Sequence, residues 1–327
     1  MYLAGVDGGA TSTKCLVVDE TGRVISSAKG GPSNHVFGEK GILRLQEALE
    51  GSLGSAIADL NADFLDGIGF GMTGLKKGDR SKQVIVEVAR KCASFDDSIV
   101  VEDIKIALAG AVVEGPGVIA YAGTGANTYG KDREGNEAKV GGWGHIIDDK
   151  GAGYDIGRLA LRMAFRSLDG RCESTCLTEM LLEHFDCDSM REVRNAVYRN
   201  GGLDRPEIGA LSKLVSQGAE AGDEVCQEIL CSSGETLAET VVAALNQLNT
   251  DGPPFPVFTA GGVFNAGSWI LDPLVDTIKS HFPRIQIKEP QFPPVAGAVF
   301  LACRQKGITP DSNFIDNLRS SLPEEFF

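Results

Sequence analysis

The stretch GVDGGATSTK, residues 5–14, ends an apolar run and predicts a strand, a tight glycine turn and a second strand. Gly8 and Gly9 carry no side chain, so their N–H groups can approach an anion closely. Asp7 has the chemistry to hold a hydrated Mg²⁺ that travels with a nucleotide. The stretch adds hydroxyl and cationic donors at Thr11, Ser12, Thr13 and Lys14. It predicts a phosphate-binding turn, and an ordinary Asp-Gly-Gly hairpin is the alternative.

A second hairpin supports the phosphate-binding interpretation. Residues 117–142, GVIAYAGTGANTYGKDREGNEAKVGG, again follow the order strand, Gly/Thr-rich turn, strand, charged turn and strand, as residues 5–31 do. This weak repeat predicts two similar half-molecules. Two phosphate loops that face one another could bind one nucleotide from both sides.

Composition places the chain among ordinary globular proteins. Its 327 residues can form two domains with a large core, and 43% are apolar and 23% charged. The net charge of -14 opposes general attraction to nucleic acid or to anionic lipid. We therefore expect neither nucleic acid nor membrane as a partner.

Cysteine usage favours a reducing cytoplasm. The eight cysteines include no CxxC pair, and four histidines leave little for a zinc site. Cys172 and Cys176 have helical i, i+4 spacing that could ligate a metal, but apolar packing explains them more simply. Neither a signal peptide nor an apolar run of membrane-spanning length is evident, so we predict a cytoplasmic protein.

Strands and helices alternate along the rest of the chain. Strands are predicted at 67–72, which ends in Thr73-Gly74, at 98–101, which ends in Glu102-Asp103, and at 256–259. Helices are predicted at about 40–60, 81–93, 104–112, 154–167, 223–248 and 294–303, with 174–248 mostly helical. The last helix is rich in Ala and Gly and should pack closely on a sheet or ligand. This pattern predicts an α/β fold with functional loops at strand ends.

Six motifs, in this order, resemble the N-acetylglucosamine kinase branch of the BadF/BadG/BcrA/BcrD ATPase family, within the actin-like ATPase and sugar kinase superfamily. The most specific is GGWGH followed a few residues later by Asp. The six are DGGATSTK at 7–14, PSNH at 32–35, VVED at 100–103, AGTGAN at 122–127, GGWGHIIDDKG at 141–151 and AGGVFNA at 260–266.

The resemblance implies an α/β protein with two ribonuclease-H-like, actin-like ATPase domains and an interdomain cleft for nucleotide and sugar. The first domain would comprise residues 1–115, completed by the C-terminal helix at about 297–327. The second would comprise residues 116–296 and carry a helical insertion. ATP with Mg²⁺ would be the cofactors, and a homodimer is expected from the resemblance alone.

The resemblance also assigns roles to individual residues. Contacts to the β- and γ-phosphates would come from Asp7, Gly8, Gly9, Thr11, Gly123, Thr124 and Gly125, with Asp7 reaching Mg²⁺ through water. Contacts near the adenosine would come from Gly261, Gly262 and Asn265. Sugar contacts would come from Asn34, Thr73, Gly74, Gly142, Trp143 and Asp149; Asp148 is the neighbouring alternative to Asp149.

Asp103 would be the catalytic base. A strand-end carboxylate suits the removal of a proton from an acceptor hydroxyl during phosphoryl transfer. A plain helix N-cap is the alternative for Asp103. Glu102 is the alternative base, although strand alternation points it to the opposite face.

These roles predict an ATP-dependent kinase that phosphorylates the 6-hydroxyl of an amino sugar, most simply N-acetylglucosamine. Glucosamine, N-acetylmuramic acid and glucose stay open as substrates. An ATPase that activates a partner enzyme is the alternative from another class. Such activators hold an iron–sulfur cluster with cysteines near the second phosphate loop, and here no cysteine lies between Cys92 and Cys172. A sugar-sensing regulator would need a DNA-binding segment and a less acidic chain.

Overall fold

A computed structural model describes residues 1–34, 38–58, 60, 64–75 and 80–326, with the side chain of Asn200 left out. His35, the last residue of the PSNH motif, lies outside these ranges, and so does residue 59 near the end of the helix predicted at 40–60. The chain forms two compact units, one of residues 1–115 with 290–327 and the other of residues 116–289.

The first unit begins with a meander of three strands and continues with two more strands that alternate with helices. Its strands are β1 (Tyr2–Gly8), β2 (Thr13–Asp19), β3 (Val24–Gly30), β4 (Phe64–Met72) and β5 (Ser94–Glu102). Its helices before residue 115 are α1 (Gly38–Leu49), α2 (Ser55–Ala58), α3 (Ser81–Ala89) and α4 (Asp103–Val112), with a π-helix (Glu50–Gly54) between α1 and α2.

The second unit repeats this plan around a helical insertion. Its strands are β6 (Gly117–Ala122), β7 (Ala126–Lys131), β8 (Glu137–Gly141), β9 (Phe255–Ala260) and β10 (Ile285–Lys288). Its helices are α5 (Gly153–Leu168), α6 (Leu177–Phe185), α7 (Met190–Tyr198), α8 (Arg205–Ala210), α9 (Ser212–Glu220), α10 (Glu224–Leu245) and α11 (Ser268–His281), with 3₁₀ turns at Arg199–Gly201 and Gly262–Ala266.

The chain then returns to the first unit as α12 (Pro294–Gln305), α13 (Ser312–Ser321) and a final 3₁₀ turn (Glu324–Phe326). The small residues of α12 let it lie directly on the sheet, as its composition predicts. A Cβ added to Gly5 of β1 would come within 2.7 Å of the Val299 nitrogen of α12. No helix within the described ranges is long and apolar enough to cross a membrane.

The two sheets have the same topology. One has the order β3-β2-β1-β4-β5 and the other the order β8-β7-β6-β9-β10. In each sheet the first three strands form an antiparallel meander. The first strand of the meander then pairs in parallel with the fourth strand, and the fourth pairs in parallel with the fifth. The repeat is therefore confirmed as a duplicated topology, as is the predicted α/β class with two ribonuclease-H-like sheets. Each sheet is covered by its own apolar core.

Several boundaries differ from the sequence predictions, among them the following three. The helix predicted at 40–60 is interrupted by a π-helix over Glu50–Gly54, where the Ser52 hydroxyl donates to the Ala48 carbonyl at 2.7 Å. Strand β5 begins at Ser94 rather than at 98, because Asp97 pairs with Gly67 of β4 and accepts a hydrogen bond from Lys306 at 2.9 Å. The helix predicted at 81–93 ends at Ala89.

Candidate functional site

The parallel strands of the first unit end in register at one edge of the sheet. Gly8 of β1 lies beside Met72 of β4, and Met72 lies beside Glu102 of β5. The loops that follow these strands therefore meet at the carboxyl edge, where open α/β sheets bind ligands. This edge gathers the first-unit residues predicted from the sequence, namely Asp7, Gly8, Gly9, Asn34, Thr73, Gly74 and Asp103.

Backbone hydrogen bonds join these loops. The amide of Thr73 donates to the Gly8 carbonyl at 2.9 Å, and the amide of Ser33 donates to the Gly9 carbonyl at 3.1 Å. Asn34 is half-buried, and its Oδ1 lies 3.5 Å from the Arg44 guanidinium, at the limit of a hydrogen bond. That contact uses the Asn34 oxygen as acceptor, so it does not involve the two N–H donors of the amide group.

Asp7 has a raised pKa. Burial raises the pKa of this carboxyl from 3.8 to about 6; Lys14 across the hairpin lowers it, and the nearby carboxylate of Asp103 raises it. Two carboxyl groups whose charges interact at a strand edge are a natural place for a divalent cation with oxygen ligands.

The pH dependence of activity should report this carboxyl. If Asp7 supports a metal-bound nucleotide as the anion, its raised pKa predicts that kcat/KM for the nucleotide falls as the pH drops through about 6. A pH profile at constant free Mg²⁺ measures this, with Asp7→Asn as the control that should lack the titration. A wild-type profile that stays flat from about pH 7 down to the ordinary carboxyl pKa of 3.8 would contradict it.

Asp103 is the first residue of α4. The N-cap of this helix is Glu102, which has an extended conformation and whose side chain makes no capping hydrogen bond. Asp103 is therefore not the N-cap. It is partly exposed, and its Oδ1 accepts a hydrogen bond from the Ile104 amide at 2.9 Å, which fixes the orientation of the carboxylate.

Three of the donors predicted in the first hairpin point elsewhere. Thr13 is fully buried and its hydroxyl donates to the Gly31 carbonyl at 2.9 Å. The ammonium of Lys14 lies 6.0 Å from the centre of the Phe326 ring. The amide of Gly9 donates to the Ser12 carbonyl at 2.9 Å, so it closes the turn instead of facing an anion. Thr11 is exposed at the tip of the turn and keeps its hydroxyl available.

The second hairpin is closed in the same way. The amide of Gly123 donates to the Gly125 carbonyl at 2.9 Å. The first amides of α5, those of Gly153 and Tyr154, donate to the carbonyls of Gly123 and Thr124 at 2.8 and 3.1 Å. Helix α5 therefore orients this loop, and the remaining amide donors of the turn are those of Thr124 and Gly125.

A cavity of about 640 Å³ opens beside this loop, entirely within the second unit. Its volume is in the range of small-molecule sites. Four of the residues predicted to contact nucleotide line it: Gly123, Thr124, Gly262 and Asn265. Gly125 and Gly261 lie outside the lining, although Gly261 packs against Ala122 at the start of the loop.

The other walls of this cavity combine apolar and polar groups. The apolar walls include Tyr121, Ile156 and Val263, and α9 contributes the polar side chains of Ser212, Lys213, Ser216 and Gln217. A flat, partly polar base and a ribose suit such a lining.

The loop after β8 carries the GGWGH motif, and its side chains divide into exposed and buried. Trp143, Ile146 and Ile147 are 73%, 88% and 79% exposed. Gly142 has a φ of +72°, a conformation that suits glycine, and its amide donates to the Ala126 carbonyl at 3.1 Å. Trp143 is thus presented to solvent rather than packed in the core.

Asp149, in contrast, is buried. It is 4% exposed, it has a left-handed φ of +59°, and its Oδ2 accepts a hydrogen bond from Nη2 of Arg205 at 2.5 Å. Burial raises the pKa of Asp149, while Arg205 and, more weakly, the amide of Ala126 lower it. Among the residues that the structure describes, three buried polar atoms around this loop have no hydrogen-bond partner: Asp149 Oδ1, Asn127 Oδ1 and Arg205 Nε.

Comparison with known proteins gives the context of these loops. The family model described as the BadF/BadG/BcrA/BcrD ATPase family matches residues 4–302. The chain belongs to this ATPase family. It is similar to an N-acetylmuramic acid/N-acetylglucosamine kinase of Clostridium acetobutylicum, with 32% identity over 92% of this chain and 98% of that relative. An N-acetyl-D-glucosamine kinase of Dictyostelium discoideum is 28% identical over 92% of this chain and 98% of that relative.

Solved structures agree on the fold. A structure from Chromobacterium violaceum, named as a candidate N-acetylglucosamine kinase, has a TM-score of 0.73 and 25% identity, and the match covers 92% of this chain and 98% of that one. A ROK family glucokinase from Streptomyces griseus, bound to glucose and AMPPNP, has a TM-score of 0.60 at 19% identity, with 94% of this chain and all of that chain covered. The predicted resemblance to the ATPase family is confirmed.

Sequence reasoning did not single out two residues that the structure places beside the candidate site residues. Asn127 follows the second phosphate turn, and its position in the AGTGAN motif was the available signal. Arg205 lies 56 residues after Asp149 in the helical insertion, where no local pattern links the two.

Cys172 and Cys176, considered above as a possible metal-ligand pair, do not lie together in the structure. The thiol of Cys172 contacts the Met163 carbonyl at 3.7 Å, whereas Cys176 lies with Asp223 and Cys226. Both oxygens of Asp223 accept backbone amides, those of Cys176 and Cys226, at 2.7 and 2.9 Å. Burial raises the pKa of both thiols. These contacts account for the cluster as helix capping with neutral thiols.

Proposed function

We propose that the protein transfers the γ-phosphoryl group of ATP to the 6-hydroxyl of an amino sugar, with N-acetylglucosamine as the first candidate. The carboxylate of Asp103 carries this proposal. It lies at the strand edge beside the phosphate hairpin, close enough to raise the pKa of Asp7, in a chain similar to amino sugar kinases over nine-tenths of its length.

Asp103 is the proposed catalytic base. Phosphoryl transfer needs the acceptor hydroxyl to lose its proton as the bond to phosphorus forms, and a positioned carboxylate contributes roughly 10²–10⁴ in rate. The hydrogen bond from the Ile104 amide to Oδ1 fixes the orientation of the carboxylate at the start of α4.

Asp7 is the proposed support for Mg²⁺, through water. The donors at this edge are carboxylate and hydroxyl oxygens, which is the set that Mg²⁺ prefers. When bound with ATP, the ion would neutralise phosphate charge. Around it, Gly8 and Thr11 would position the phosphates, with the exposed Thr11 hydroxyl as the side-chain donor, and Gly9 would shape the turn that carries them.

In the second unit, Gly123, Thr124 and Gly125 are the proposed phosphate contacts, and the cavity beside them is the proposed site of the adenosine. Gly262 and Asn265 line that cavity, and Gly261 forms the turn that leads to them.

Sugar recognition is proposed for two groups of residues. Asn34, Thr73 and Gly74 supply the first-unit contacts, and Gly142, Trp143 and Asp149 supply the second-unit contacts. Asp149 Oδ1 is a buried acceptor without a donor, and so is Asn127 Oδ1, which we add to the set. A bound sugar can satisfy these two acceptors with its hydroxyl or N–H donors. An analogue that lacks such a donor would leave a buried acceptor unpaired and would bind more weakly.

Trp143 should report sugar binding by fluorescence. The chain has two tryptophans, Trp143 and Trp269, so Trp269→Phe leaves Trp143 as the single emitter. Because Trp143 is 73% exposed, covering its ring should shift the emission to shorter wavelength as sugar saturates the site. The same titration of Trp143→Phe is the control, and an equal emission change in that variant would contradict the assignment.

An assay of ADP release across four sugars tests the proposed function. N-acetylglucosamine, glucosamine, N-acetylmuramic acid and glucose should be compared at equal concentrations with ATP and Mg²⁺, and 6-deoxy-N-acetylglucosamine serves as a control that keeps the other hydroxyls. We expect turnover with an amino sugar and none with the 6-deoxy analogue. ADP release that is the same with and without every sugar would contradict a kinase and favour an ATPase.

The location and assembly of the protein are also proposals. Eight free cysteines suit a reducing compartment, so we propose a cytoplasmic enzyme. A homodimer is proposed from the family resemblance, and sedimentation with and without sugar measures it.

A further inference from the structure

Arg205 begins α8, a short helix that is firmly held at its start. Asp204 and Glu207 form a reciprocal capping box, with bonds of 2.8 Å from the Glu207 amide to Asp204 and 2.6 Å from the Asp204 amide to Glu207. Pro206 follows, in the first turn, where its fixed φ suits a helix. The backbone that carries Arg205 is therefore well defined.

Helix α8 borders the candidate nucleotide cavity. Pro206, Gly209 and Ala210 line it, and Gly209 lies against the side chain of Thr124 in the phosphate turn. The side chain of Arg205 leaves this helix in the direction of the loop after β8, where it meets Asp149.

The Arg205–Asp149 pair packs against the phosphate turn. A Cβ added to Gly125 would meet the Arg205 guanidinium and would lie 2.8 Å from Asp149 Oδ2. The absence of a side chain at Gly125 thus lets the ion pair sit directly on the turn. One contact therefore joins three segments: α8, the turn at 123–125 and the loop at 142–151.

The pair leaves one carboxylate oxygen unused. Oδ2 of Asp149 accepts a hydrogen bond from Arg205, whereas Oδ1 is buried and has no hydrogen-bond partner within the described part of the chain. An ionised, buried carboxylate is stable only with such a partner, and an unpaired one takes up a proton instead.

We propose that Arg205 is a positioning residue, which holds the Asp149 side chain with Oδ1 presented to a sugar hydroxyl and ties the sugar loop to the phosphate turn. This inference rests on the proposed function, since it gives that site a residue from the helical insertion.

The charges around Asp149 set the expected pH effect. Arg205 lowers the pKa of Asp149 and the neighbouring Asp148 raises it, while the amides of Ala126 and Gly144 lower it. Without Arg205 the pKa must rise further, so Asp149 would protonate at higher pH. A protonated carboxyl group keeps one weaker acceptor and loses the charge that strengthens the bond to a hydroxyl.

The test compares Arg205→Gln with Arg205→Lys and with Arg199→Gln, an exposed arginine of the same insertion that serves as the control. We expect Arg205→Gln to raise KM for the sugar by about 10-fold or more, the loss of one charge-assisted hydrogen bond. The acid limb of kcat/KM for the sugar should move to higher pH. Arg205→Lys should recover part of the loss, and Arg199→Gln should behave as wild type.

Three further measurements separate positioning from folding. Affinity for a nucleotide analogue without sugar should change little in Arg205→Gln, whereas the melting temperature should fall because Asp149 is left without its partner. In the double variant Asp149→Asn with Arg205→Gln, which replaces the ion pair with a neutral pair, the losses should be clearly less than additive. The inference is overturned if Arg205→Gln leaves both the sugar KM and the pH profile unchanged, or if nucleotide and sugar affinity fall equally together with the melting temperature. A wild-type protein without turnover on any sugar would instead refute the proposed function.

Discussion

Replacing Asp103 with Asn is expected to lower kcat by about 10²–10⁴-fold while KM for ATP changes little. The reason is chemical, because the amide keeps the shape of the side chain but cannot take the proton from the acceptor hydroxyl. The bond from the Ile104 amide to Oδ1 can be kept by the amide oxygen, so the helix start should stay intact. Steady-state kinetics with saturating sugar and ATP measure the effect.

Glu102→Gln is the matched control for Asp103→Asn. The two acids are adjacent, and Glu102 pairs with Met72 as the last residue of β5 whereas Asp103 begins α4. We expect Glu102→Gln to keep most of the wild-type kcat. If Asp103→Asn retains more than about a tenth of kcat while Glu102→Gln loses it, the base is Glu102 and the assignment of Asp103 is wrong.

Replacing Gly261 with Ala should strongly destabilise the second unit and the cavity beside it. Gly261 has a φ of +105°, and an added Cβ would lie 2.6 Å from the carbonyl carbon of Ala122, at the end of β6. Strain at such a φ costs about 1–3 kcal/mol, and overpacking adds about 1–3 kcal/mol. We expect the melting temperature to fall by at least about 5 °C and KM for ATP to rise, because the clash pushes on the residue before Gly123.

Gly262→Ala is the control for Gly261→Ala. Gly262 is the next residue, it lines the same cavity, and an added Cβ would meet no atom within 4 Å. Its melting temperature should match that of the wild type, so any rise in KM for ATP would reflect occupancy of the cavity alone. Equal melting temperatures for the two variants would contradict the packing argument.

The strand-turn-strand pattern of the two hairpins made the fold predictable. Gly8 and Gly9 and then Gly123 and Gly125 mark turns between alternating apolar runs, and the topology of both sheets follows from that repeat. Two less regular elements were not predicted. Helix α11 contains Pro273, which usually ends a helix, and β10 is only four residues long, so neither carried a clear signal. The single C-terminal helix expected at about 297–327 is two helices, α12 and α13, and α13 has only Phe314 and Leu318 buried.

The site was less predictable than the fold, because hydrogen bonding inside a turn is not visible in its composition. Thr13 and Gly9 are polar donors in sequence, yet each donates to a nearby carbonyl. Asp149 is identified by its spacing from Trp143, but its partner Arg205 comes from a separate helix. Long-range pairs of this kind follow from tertiary packing and have no local pattern.

The product of the reaction tests the central claim most directly. Wild-type protein should be incubated with ATP, Mg²⁺ and N-acetylglucosamine and the mixture followed by ³¹P NMR, with Asp103→Asn beside it. We predict a sugar phosphomonoester whose phosphorus couples to the two protons on C6, formed in step with ADP and nearly absent with Asp103→Asn. ADP and inorganic phosphate as the only new phosphorus species, in equal amounts with and without sugar, would contradict the account.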